Sequence, residues 1–102
     1  MIFEPMLKTF VQKPQKKTLA SVEGEQCFWV SSGHILCNIK DLRDALSSMS
    51  DDTFVYHVNK EKNDFAKWIE EVLGDGNLAN QLDRSKTRAT AYKVIDTHLK
   101  KY

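Results

Sequence analysis

One segment of the chain constrains the rest more than any other. Phe65, Trp68, Ile69, Val72 and Leu73 fall at i, i+3, i+4, i+7 and i+8, the spacing that lines apolar side chains along one face of an α-helix. Asn63 or Asp64 suits its start, because a short side-chain oxygen accepts the unpaired N–H groups of a first turn. Gly74 stands where a helix ending in a left-handed residue needs glycine. A single helix with one apolar stripe is not a fold. It must lay that stripe against other elements, and the flanking sequence supplies them.

Before it, Ile39, Leu42, Ala45, Leu46 and Met49 repeat the helical pattern behind Asn38 as N-cap. Ser50 caps a short second helix with Asp51 and Asp52 in its first turn, where the helix dipole favours anions. Phe54, Val55 and Val58 are its expected buried side chains. After Gly74, the turn Asp75-Gly76-Asn77 leads into a short helix carrying Leu78, Ala79 and Leu82. Thr87 caps a last helix whose stripe is Ala91, Val94, Ile95, His98, Leu99 and Tyr102.

Cys27-Phe28-Trp29-Val30 and His34-Ile35-Leu36-Cys37 flank Ser31-Ser32-Gly33. Two aromatic and β-branched runs around a glycine-containing turn predict a β-hairpin. A three-residue loop sets Trp29 opposite Ile35 and Cys27 opposite Cys37. The two thiols are then close enough to meet, but cytosolic thiols are normally kept reduced, so they read as two small buried hydrophobes. Two strands alone are unstable in water, so the hairpin must rest on helices. The expected fold is α+β and mainly α: a short N-terminal β-hairpin packed on a bundle of about four helices. Residues 26–102 form this single domain.

Residues 1–25 read as an arm. Ile2, Phe3, Met6, Leu7, Phe10 and Val11 stand at roughly helical spacing between Pro5 and Pro14, which suit the start and end of a helix. The segment is either a short helix docking on the body or a second copy, or a disordered tail.

Nothing in the chain approaches the ~20 continuous apolar residues of a membrane span. No basic segment followed by an apolar run marks a secretory leader. Two Cys and three His imply no disulfide framework and no zinc cluster. These features predict a cytoplasmic protein without metal, cofactor or membrane partner. The formal charge of +1 conceals a segregation. Residues 27–80 hold five basic and nine acidic side chains, whereas residues 81–102 hold six basic and two acidic. The basic end, Arg84, Lys86, Arg88, Lys93, Lys100 and Lys101, is either a solvated face leaning on the acidic centre or a surface for phosphate.

The polar cluster His57, Asn59, Lys62, Asn63 and Asp64 invites two readings. A carboxylate beside a histidine can orient the imidazole for acid–base chemistry. The same residues can instead end one helix and start the next by accepting or donating backbone hydrogen bonds. No nucleophile is marked nearby, and the seven-residue step from His57 to Asp64 fits no short metal motif. Trp68 lies in the middle of an apolar stripe and reads as core. Trp29 on a short hairpin is a candidate for an interface, with Tyr56 and Phe10. His34 and His98 read as surface or edge histidines.

Taken together, Phe28-Trp29, Leu42, Leu46, Met49, Asp51, Phe54, His57-Val58-Asn59, Lys62-Asn63-Asp64-Phe65-Ala66, Trp68-Ile69, Val72, Gly74-Asp75, Leu78-Ala79 and Leu82 resemble an uncharacterised small domain family of archaeal and bacterial proteins. That domain occurs alone and attached to longer chains. The resemblance spans Phe28 to Leu82, leaves out the first 25 residues, and does not anticipate Cys27 or Cys37. It implies a helical accessory or interaction module with no established activity. The leading expectation is therefore a non-enzymatic module whose partner is another protein or a second copy. The alternatives are a nucleic-acid-binding protein using the basic C-terminal helix and, remotely, a small hydrolase or isomerase built on His57 and Asp64.

Overall fold

The structure, a computed structural model, describes residues 20–102. The apolar set from Ile2 to Val11, with the interface candidate Phe10, lies outside the described residues. A 3-10 turn (Gly24–Gln26) leads into β1 (Phe28–Trp29) and β2 (Ile35–Leu36). Then come α1 (Ile39–Ser48), α2 (Asp51–His57), α3 (Asp64–Trp68) with a π-helical continuation (Ile69–Leu73), α4 (Gly76–Asp83) and α5 (Arg88–Leu99). Among the described residues the protein is α+β and mainly α, an antiparallel hairpin packed on five helices.

All five helices begin on a side-chain cap. Asn38, Ser50, Asn63, Asp75 and Thr87 each accept the backbone N–H three residues ahead, and each such cap is worth about 1 kcal/mol. Regular α-geometry stops at Trp68, and the next turn widens. Gly74, at φ 75°, and Asp75 both return their N–H groups to the Ile69 carbonyl. Only glycine adopts that left-handed backbone without a steric cost.

The core gathers the predicted stripes. α1 lies along α5, and α4 lies against α3. Leu42, Leu46, Ile69 and Ile95 are fully buried, each contributing about 1.5–3 kcal/mol of transfer free energy. One expectation about α2 fails. Phe54, His57 and Val58 take its inward face, so Val55 is 56% exposed and Tyr56 62%. A seven-residue helix has one inward face, and the i, i+3, i+4 set that includes His57 occupies it.

The hairpin has the predicted register, Phe28 opposite Leu36 and Trp29 opposite Ile35. Its loop closes through Val30 N–H to His34 O (2.8 Å) and Gly33 N–H to Val30 O (2.8 Å), with Gly33 at φ 107°. Strand alternation sends Phe28, Val30 and Leu36 inward and Trp29 and Ile35 outward. The same register sets Cys27 against Cys37, and here the expectation of two separate thiols is overturned. They form a disulfide across the open end of the hairpin, with Cα atoms 4.5 Å apart. The described part of the arm is also tied down. Val22 N–H donates to Cys37 O (2.9 Å), and Asn38 Nδ2 donates to Ser21 Oγ (3.1 Å).

Candidate functional site

His57 ends α2 with its side chain only 5% exposed. Backbone N–H of Ser31, in the hairpin loop, donates to His57 Nε2 at 3.0 Å. That nitrogen is therefore the acceptor, and the ring proton sits on Nδ1. Nδ1–H donates in turn to Asp64 Oδ2 at 3.0 Å, and Lys62 Nζ donates to the same oxygen at 3.0 Å. Lys62 Nζ also stands 5.0 Å above the centre of the Tyr56 ring, within cation–π range. One chain of contacts thus runs from hairpin loop to α2, to the first turn of α3 and out to Lys62. Burial, the largest influence on Asp64, works to raise its pKa. The hydrogen bonds from His57 and Lys62, with the Lys62 charge, outweigh it and hold the carboxyl below its ordinary range.

The remaining polar residues of the cluster serve helix ends. Asn59 Nδ2 donates to Val55 O (2.9 Å) and its Oδ1 accepts Glu61 N–H (3.0 Å), closing α2. Asn63 Oδ1 accepts Ala66 N–H (3.0 Å), while its Nδ2 donates to Leu82 O (3.2 Å). One asparagine therefore starts α3 and fastens it to the end of α4. A general base working through Nε2 needs that atom accessible. In His57 it is buried and occupied, so the geometry gives the imidazole a positioning role between hairpin and helices.

Aromatic rings reinforce the junction. Phe28 meets His57, Phe65 and Trp68 at centroid distances of 5.3, 5.2 and 6.0 Å. Trp68, 6% exposed, is core as expected, and its Nε1–H donates to Gln26 O at 2.8 Å. With this inner face fixed, the outer faces stand free. Trp29 is 68% and Ile35 47% exposed, a cross-strand apolar pair on the outward side of the hairpin. Tyr56 adjoins the same junction, its ring edge-on to His57 at 5.0 Å.

The basic residues of the C-terminal segment do not share one surface. Lys86 and Arg88 line a cavity beside α2, whereas Lys93 and Lys101 flank a different one along α5. Arg88 is committed to Asp51 (3.1 Å) and to Leu46 O (2.8 Å), and Lys100 Nζ lies 4.0 Å from Asp96.

A second polar constellation was not legible in the sequence. His98 is no surface histidine: its side chain is 11% exposed, with Nε2 3.4 Å from Asp75 Oδ2 and 3.3 Å from Tyr102 Oη. Burial first, and the Asp75 carboxylate second, hold the Tyr102 phenol above its usual range. Asp75 also caps α4, so the set joins the start of α4 to the end of α5. The i, i+4 step from His98 to Tyr102 was the available signal; the link to Asp75 depends on tertiary packing. Among the described residues no group of three metal-binding side chains occurs, and no helix is long and apolar enough to cross a membrane. Comparison of the chain with protein-family models, with curated proteins and with solved structures finds no match.

Proposed function

We propose that the protein is a non-enzymatic interaction module that binds another protein, or a second copy of itself, through apolar side chains on the outer face of the hairpin and of α2. The observation that carries this reading is Trp29. It is 68% exposed on a hairpin whose inner face is fixed by a disulfide, an aromatic cluster and the Ser31–His57 bond. A rigidly presented tryptophan loses little freedom on binding, and tryptophan and tyrosine dominate the energetic centres of protein interfaces. Ile35 pairs with Trp29 across the hairpin, and Val55 and Tyr56 are exposed apolar side chains on α2.

The alternative, nucleic-acid binding by the basic C-terminal segment, has its cations divided between separate surfaces. It predicts oligonucleotide binding that weakens steeply with salt. The cytoplasmic setting is likewise a proposal, and the Cys27–Cys37 disulfide pulls against it, because cytosolic thiols are kept reduced.

The test combines solution mass by light scattering with capture of partners by the full chain and by Trp29→Ser. The reading expects unchanged circular dichroism in the variant and association weakened by about tenfold or more, as for loss of an interface anchor. Equal loss of helicity would make Trp29 a core residue. Undiminished association would move the interface elsewhere.

A further inference from the structure

A groove of about 570 Å³ runs beside α2, lined by Val55, Val58, Asn59, Lys60 and Lys86. An adjoining cavity of about 230 Å³ shares Val55 and Lys86 with it. The floor is aliphatic: Val55 is 56% exposed and Val58 sits beneath it. Flanking that floor are two ammonium groups, both on exposed residues. Lys86 Nζ donates to the carbonyl of Asp83 at 3.0 Å, and neither lysine meets a carboxylate among the described residues. Asp51, the acidic residue of the adjoining cavity, is already paired with Arg88 at 3.1 Å. The groove is therefore cationic, with Lys60 from the stretch 27–80 that is acidic in sum and Lys86 from the basic C-terminal segment.

We infer that this groove binds an acidic peptide segment of a partner protein, with an aliphatic or aromatic side chain on Val55 and Val58 and carboxylates toward Lys60 and Lys86. This inference rests on the interaction-module reading and names the chemistry of the partner. Apolar contact on the valines supplies affinity, and the two ammoniums, neither of which meets a carboxylate among the described residues, select against basic or neutral segments. A nucleic-acid strand fits the groove less well. Val55 and Val58 offer no π-face for a base, and single-strand binding relies on aromatic stacking along a basic track.

The experiment selects from a randomised dodecapeptide library displayed on phage, against the immobilised full-length chain. Recovered peptides are then assayed with the wild type and with Lys60→Glu/Lys86→Glu, Val55→Asp and Trp29→Ser. All four sites are exposed, and circular dichroism checks each fold. Expected are sequences with Asp or Glu on either side of an aliphatic or aromatic residue. Their binding falls about tenfold or more in the double charge reversal, a change of about 1.4 kcal/mol, and falls likewise in Val55→Asp.

Recovered peptides without acidic enrichment, or binding equally to the charge-reversed protein, overturn the inference. So does an empty selection, or displacement of the peptides by a twelve-residue oligothymidylate bound more tightly at the same lysines. Peptides that lose binding only in Trp29→Ser overturn the groove while sustaining the interaction module. Loss of the module itself is read separately, from Trp29→Ser in the mass and capture measurements.

Discussion

Replacing His57 with Ala is the sharpest perturbation of the junction. The imidazole is buried, so its removal leaves a cavity among Phe28, Tyr56 and Phe65, whose ring centres lie 5.3, 5.0 and 5.2 Å away. It also strands the Ser31 N–H and takes one donor from a partly buried carboxylate. A neutral bond contributes about 0.5–1.5 kcal/mol and a bond to a charged group about 1.5–3 kcal/mol. With the cavity added, the loss is about 4 kcal/mol. Against a total of about 5–15 kcal/mol for a domain of this kind, that is a large share. The melting temperature should fall by about 15–30 °C.

Denaturant unfolding followed by circular dichroism measures the loss. His57→Gln, which can restore an acceptor toward Ser31, and His57→Asn, which can restore a donor toward Asp64, should each recover part of it. A loss under about 1 kcal/mol, the range of ordinary surface substitutions, would refute the idea that His57 fastens the hairpin to the helices.

Three further outcomes follow from the same geometry. Reducing the Cys27–Cys37 bond, or replacing both cysteines with Ser, should cost about 3 kcal/mol, the loop entropy expected for a cross-link ten residues apart; unchanged unfolding midpoints under reducing and non-reducing conditions would count against the cross-link. Asp64 is held below its ordinary value of 3.8, so the stability it contributes is fully present above that value and is lost as pH falls through the lower folded value. The advantage of wild type over Asp64→Asn should therefore be flat above about pH 5 and shrink only in stronger acid. Asn63→Ala should cost more than an average cap, about 2 kcal/mol or more, because it frees both Ala66 N–H and the buried end of α4.

Much of this architecture was legible in the sequence because it rests on local rules. The 31–33 loop around Gly33 set the hairpin register, and Asn38, Ser50, Asn63 and Thr87 announced four helix starts. The stripes of α1, α3 and α5 named most of the core. The misses share a cause. The bond from Ser31 to His57 joins residues 26 apart, and the approach of Asp75 to His98 also joins separate elements; neither leaves a periodic trace. In α2, seven residues hold Phe54, Val55, Tyr56 and His57 in succession. Hydrophobicity alone ranks Val55 above His57 for burial, whereas the carboxylate of Asp64 and the N–H of Ser31 make the histidine the better-satisfied inward residue. The disulfide was a matter of environment more than of geometry, since the register already placed the two cysteines opposite each other.

The proposal that the outer faces of the hairpin and α2 form the binding surface is most directly tested by hydrogen-exchange mass spectrometry of the full chain, alone and with a captured partner. Protection concentrated in residues 28–37 and 55–60 is the predicted result. Protection confined to residues 84–101, with the hairpin exchanging as in the free protein, would contradict it.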